Sequence, residues 1–330
     1  MTTATYTAPT VDDIKEARER LGTLVRRTPT WKWDGPTTKA LSDSGTEVYL
    51  KLELFQYAGS FKARGALLSM MGLIEEDLKK GVTAVSAGNH AIAVSYAAKA
   101  MGTSAKVVMP ETTPQPRIDT CTELGAEVVL AEDVHVAFDL AYRIEKEEGR
   151  TFIHPFEGPL ITLGTATCGL ELLEDVPDLD AIIIPVGGGG LISGIAAAVK
   201  QMNPNIEVYG VEPTGADTMH KSFKAGKPEK IDKVNTIASS LGSPHAAEYS
   251  FAITKQYTDE LVYVNDQQLA STMDLMFNEL KLACEPAAAA ASAALLYPLK
   301  EKLTGKKVGV IVCGSNIDTE TFYRTIQDHA

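Results

Sequence analysis

The sequence predicts an α/β fold in which two open, parallel-rich α/β layers share one cleft. From about Glu47 onward, short apolar runs alternate with longer amphipathic ones, the spacing of βαβ units. The run Ala181-Ile182-Ile183-Ile184-Pro185 is almost wholly apolar, as a strand buried on both faces should be. The motifs richest in glycine and small polar residues fall between a strand and the next element, where ligands sit in such folds.

Taken in order, residues 48–52 read as a strand and 61–78 as a helix. Strands at 83–86, 105–109 and 127–131 alternate with helices at 91–100, 116–124 and 136–147. A second block follows: a strand at 181–185, a helix at 191–201 and a strand at 206–211. Residues 267–282 and the alanine-rich run 286–296 read as helices, and 308–313 as the last buried strand. No repeat of solenoid period and no low-complexity linker interrupts the series.

Composition sets outer limits. The chain has 330 residues, 45% hydrophobic and 22% charged, ordinary for a soluble globular protein of one large or two typical domains. A net charge of −12 argues against nucleic-acid or anionic-membrane partners, which reward a basic face. Cys121, Cys168, Cys284 and Cys313 form no CxxC pair, so neither a zinc site nor a thiol redox motif is expected. Residues 1–10 lack the layout of a signal peptide, and no uncharged apolar run is long enough to span a bilayer. The expected address is a reducing cytoplasm.

Three motifs carry chemistry. Gly59-Ser60-Phe61-Lys62-Ala63-Arg64-Gly65 places a lysine at a helix start, where the macrodipole disfavours a cation. A lysine whose neutral form is accessible forms a Schiff base with an aldehyde, although a solvated surface lysine has the same signature. Ser86-Ala87-Gly88-Asn89-His90 is a strand-to-helix turn whose free backbone N–H groups suit a carboxylate. Taken alone, Asn89 reads as a helix cap and His90 as a packed histidine. Val186-Gly187-Gly188-Gly189-Gly190-Leu191 joins the apolar strand to a helix; consecutive glycines are entropically costly, and a phosphate cradle explains them. The run matches neither GxGxxG nor GK[ST]. An amine, a carboxylate cradle and a phosphate cradle together match pyridoxal-phosphate chemistry on an amino acid.

On these motifs the chain resembles the fold-type II pyridoxal 5′-phosphate (PLP) enzymes, which are tryptophan synthase β-like. Within them it is most similar to the serine/threonine dehydratase and serine racemase family. The resemblance runs from Arg26-Arg27-Thr28-Pro29 to Asn316-Ile317-Asp318. It implies a large cofactor-binding domain of residues 1–72 and 153–330, with a small mobile domain, 73–152, inserted in it. Lys62 is then the residue joined to the cofactor, with Phe61 against it and Asn89 on its 3′-hydroxyl. Gly187, Gly188, Gly189, Gly190 and Leu191 take the phosphate, and Cys313 faces the pyridine nitrogen. Ser86, Ala87, Gly88, Asn89 and His90 take the substrate carboxylate. Relatives hold a cation at positions matching Glu212, Ala216 and Thr218. A neutral hydroxyl at Thr218 suits a monovalent ion such as K+ better than Mg2+, which favours carboxylates; Asp217 is one residue out of register.

The activity implied is removal of water and then ammonia from a 3-hydroxy amino acid such as threonine or serine, giving a 2-oxo acid. Alternatives are a dehydratase of 3-hydroxyaspartate or phenylserine type, a racemase or β-replacement enzyme, and a non-catalytic amino-acid binder. Ala87 stands where racemases carry a serine, and a methyl group cannot exchange a proton, so elimination is favoured. Thr236-Ile237-Ala238-Ser239-Ser240 replaces a TIADG segment, and Thr165 replaces a glutamine, so side-chain specificity departs from threonine dehydratase. The expected assembly is a homodimer or homotetramer.

Overall fold

The computed structural model describes residues 6–42 and 44–329. Residues 1–5, half of the segment read for a leader, lie outside the described residues. Ten strands form among the described residues: β1 Thr30–Lys32, β2 Glu47–Lys51, β3 Val82–Val85, β4 Ala105–Pro110, β5 Glu127–Ala131, β6 Thr151–Phe152, β7 Ala181–Pro185, β8 Glu207–Pro213, β9 Glu260–Val264 and β10 Lys307–Ile311. They make a six-stranded sheet in the order β1-β2-β10-β7-β8-β9 and a four-stranded sheet in the order β5-β4-β3-β6. Every pairing is parallel except the edge pair β1–β2. Parallel strands need covered faces, and the buried strands supply the reason: β3 and β7 are buried at every residue.

The helices that cover the sheets are shaped by composition. Pro286–Leu296 is buried along almost its whole length, and its alanines bring it close to β7 and β8. Gly190–Met202 is buried on all sides from Gly190 to Val199 and crosses Pro159–Asp175 at Gly194. A Cβ at Gly194 would lie 2.3 Å from the Thr162 carbonyl oxygen, so only glycine permits this crossing. Between the two sheets lies Lys62–Met71, packed on both Asn89–Met101 and Pro159–Asp175.

The helix expected over residues 61–78 is two helices, Lys62–Met71 and Glu75–Lys80. Gly72 closes the first by donating to the Leu68 carbonyl. Ile74 is extended, and Glu75, Glu76 and Asp77 then open a new helix with the charge its N-terminus prefers. Apolar periodicity continues through the break, which hid it. No helix among the described residues is long and apolar enough to cross a membrane.

Candidate active site

The motifs meet because each follows a strand on the same side of its sheet. Ser86 follows β3, Val186 follows β7, and Val312 and Cys313 follow β10. The segment that leads from β2 to Lys62 is pinned over them by Phe61 N donating to the Cys313 carbonyl and by the Ser60–Gly314 bridge.

A cavity beneath the cleft is lined by Phe61, Lys62, Asn89, the run Gly187–Leu191, Glu285 and Cys313. Among the described residues, no backbone N–H from Gly187 to Leu191 donates a hydrogen bond. The loop's carbonyls are instead turned away: Ser250 Oγ donates to Gly188 O at 3.1 Å and Thr165 Oγ1 to Gly190 O at 2.7 Å. Side chains are excluded there, since a Cβ on Gly188 would sit 2.3 Å from the Phe156 ring and Gly189 has φ +93°. Free amides at the start of a long helix, with no acidic residue in its first turn, fit a phosphate group.

Lys62 Nζ donates to the Pro155 carbonyl at 2.5 Å and lies 5.1 Å from the centre of the Phe61 ring. Burial draws its ammonium down to about 8, against the smaller opposing pull of Cys313 and Glu285. The Cys313 thiol is pushed well up by burial and by Glu285, so it stays protonated. The Asn89 amide is clamped: Asn316 Nδ2 donates to its Oδ1 at 2.6 Å, and its Nδ2 donates to Glu285 Oε1 at 2.6 Å and Ser240 Oγ at 3.2 Å. Amine, amide, thiol and phosphate cradle therefore fit the pyridoxal-phosphate group that the motifs imply.

Above this lies an open cleft of about 260 Å³. One wall is the turn Ser86–His90, where Gly88 N donates to Ser86 Oγ at 3.0 Å. His90 is a packed residue: Nε2 lies 2.8 Å from the Ile153 carbonyl, and burial takes its imidazole down to about 3. The rest of the lining is mainly apolar and aromatic, Val134, Phe138, Phe156, Pro244 and His245, with Ser239, Ser240 and Ser243 among them. His245 bridges Phe138 at 6.4 Å and Phe156 at 5.5 Å between ring centres, and His154 meets Phe156 edge-on at 4.7 Å.

Sequence reasoning missed Glu285, Asn316, Arg117 and this aromatic wall. Glu285 had a signal: an acid set between a cysteine and the proline that opens an apolar helix. Burial raises its carboxyl, opposed first by Arg117 and then by the Asn89 and Ser240 hydrogen bonds.

At the positions expected to hold a cation, Glu212, Ala216 and Thr218, the two polar side chains have protein partners. Glu212 Oε1 accepts from Met219 N at 2.8 Å; Oε2 accepts from His220 N at 2.8 Å and lies 2.6 Å from His220 Nδ1. Thr218 Oγ1 donates to the Ser243 carbonyl at 2.6 Å, so its hydroxyl is turned to that loop. The His220 ring, stacked 3.6 Å from Tyr263, holds the place beside Glu212. No group of three or more His, Cys, Asp or Glu among the described residues is arranged to hold a metal ion.

Residues 21–314 match the family model described as pyridoxal-phosphate dependent enzyme. A phenylserine dehydratase from Ralstonia pickettii is 49% identical over 97% of this chain and 97% of its own length. An L-threonine ammonia-lyase from Thermotoga maritima is 39% identical over 96% of this chain and 78% of its own. The structure of maize serine racemase superposes with a TM-score of 0.90 at 35% identity, covering 98% of both chains.

Proposed function

The chain belongs to the pyridoxal-phosphate dependent enzymes, and from that membership we propose that it removes water and then ammonia from a 3-hydroxy amino acid, preferring an aromatic β-substituent. The observation that carries the reading is one cavity system facing both the Lys62 amine and the free amides of Gly187–Leu191, opening on an aromatic wall. In this reading Lys62 carries the cofactor, the amides hold its phosphate, and Phe61, Asn89 and Cys313 bracket its ring. When bound, the cofactor supplies the electron sink for an amino acid's α-carbon.

The chain's residues do the rest. The turn Ser86–His90 orients the substrate carboxylate with backbone N–H groups. Lys62, freed when the substrate's amine takes its place, has an ammonium drawn down to about 8; it holds an appreciable neutral fraction near neutral pH and would take the α-proton. The same amine returns a proton to the β-hydroxyl as the C–O bond breaks, and water leaves with that electron pair. The unsaturated amine left behind takes up water and loses ammonia, giving the 2-oxo acid. A protonated Cys313 thiol puts no negative charge beside the ring.

The apolar wall favours a phenyl group over a methyl or carboxylate group, because burying an aromatic side chain there removes a large apolar area from water. A phenylserine, threonine and 3-hydroxyaspartate panel, followed by oxo-acid and ammonia release, tests the preference. We expect phenylserine to have the highest kcat/KM; threonine in first place would overturn the aromatic assignment. Lys62→Ala should abolish turnover and the bound cofactor's visible absorbance while leaving the far-ultraviolet circular dichroism unchanged. Turnover close to wild type in that variant would overturn the whole reading.

A further inference from the structure

Arg117 has no role in the motifs, yet it occupies a position that demands one. It lies in the first turn of Gln115–Glu123, where the helix dipole disfavours a cation. Among the described residues no carboxylate makes a direct ion pair with it, although its charge acts from a distance on buried Glu285. Its partners are neutral backbone carbonyls: Nη1 donates to Ala87 O at 3.1 Å, while Nη2 and Nε donate to Asn316 O at 3.0 and 3.3 Å. That leaves an N–H on each Nη without a partner.

The guanidinium lies directly over the carboxylate cradle. It lines the same cleft as Ser86, Ala87, Gly88 and Asn89, and a Cβ on Gly88 would lie 3.1 Å from its Nη1. The absence of a side chain at Gly88 thus gives an incoming ligand access to both the turn's N–H groups and the guanidinium. Lys62 is the other basic side chain of the cleft, and its task requires a neutral form, whereas a guanidinium stays charged. The Asn316 contact ties the helix to the loop after β10, so the charge is set against the cofactor side of the cleft.

We infer that Arg117 is a substrate-binding residue that gives the substrate carboxylate its counter-charge, with the Ser86–His90 turn completing the receptor. The inference rests on the amino-acid lyase reading above. A planar guanidinium and a carboxylate make charge-assisted hydrogen bonds that a neutral amide ligand cannot match. Losing such bonds weakens binding by roughly 10–100-fold.

The test uses holoenzyme and ligands with no β-leaving group: each enantiomer of alanine and of alaninamide. Binding is read from the concentration dependence of the bound cofactor's visible spectrum. In wild type, alanine should bind more tightly than alaninamide. Arg117→Gln should weaken alanine roughly 10–100-fold and alaninamide less than about 3-fold, and Arg117→Lys should recover part of the loss. Equal weakening of both ligands would make Arg117 a structural tie only and overturn the inference, as would unchanged alanine binding. If neither ligand perturbs the wild-type spectrum, the lyase reading itself fails.

Discussion

Lys62 sits at a helix start and under a hydrophobic roof, two surroundings that both disfavour its charge. In protein stripped of cofactor, acylation of Lys62 should be half-maximal near pH 8, whereas exposed lysines should follow the ordinary value of about 10.5. Peptide mass spectrometry across a pH series checks this, and a Lys62 midpoint among the exposed lysines would contradict it. Ala87 tests reaction choice. Its methyl group borders the cleft and offers no proton, so Ala87→Ser should raise racemisation of serine, a placed donor being worth ~10²-fold or more. Chiral chromatography beside an oxo-acid assay reads it, and wild type racemising as fast as it eliminates would refute the argument. At Glu212 the His220 ring and two amides already satisfy the carboxylate. Dialysis against a chelator and removal of K+ should therefore change activity less than about 2-fold; a loss restored by one added ion would reverse this assignment. That Lys62 and the glycine run line one cavity was legible from short motifs, whereas Asn89, which by itself read as a helix cap, was placed there only by the resemblance. Glu285, Asn316, Phe138 and His245 were not legible, because their partners lie far along the chain and only the tertiary fold supplies them.

At the scale of elements, the start of the Lys62–Met71 helix is fixed by ions rather than by a cap. Arg64 is fully buried and forks between Glu53 and Glu171, with Nε to Glu53 Oε2 and Nη2 to Glu171 Oε2 both at 2.8 Å. Lys51 and Arg18 join Glu171 at 3.1 and 2.6 Å. The cluster connects β2, Pro159–Asp175 and Val11–Leu21 to the turn bearing Lys62. Arg64→Met leaves two buried carboxylates short of a partner and should cost about 3–5 kcal/mol, measured by urea unfolding. A loss under about 1 kcal/mol would show that the remaining cations suffice. The apolar runs of β7 and the Pro286–Leu296 helix were legible at both ends. The break at Gly72 was not, since hydrophobic period alone does not register a change of helix axis.

At the scale of the molecule, we propose that residues 73–152 move as a unit against the remainder. The cleft contacts that would have to part or travel include Arg117 to Asn316, the Asn89 clamp to Asn316, Glu285 and Ser240, and Phe138 against His245. Small-angle scattering should give a smaller radius of gyration with an amino-acid ligand than without, and an unchanged radius would count against the motion. The alternating pattern made both layers readable, but strand order was not, because nothing local says which parallel strand lies beside which. That order carries a consequence for biosynthesis. β10, Lys307–Ile311, lies between β2 and β7, so those two strands share no neighbour until it arrives. A ribosome delivers it after the other nine described strands. The four-stranded sheet can close early, whereas the larger sheet waits, with apolar strand edges open to chaperones or to other nascent chains. Cys313 and the loop behind Asn89 follow β10 and are set only when it docks, so that strand must emerge before the chain can take up its coenzyme.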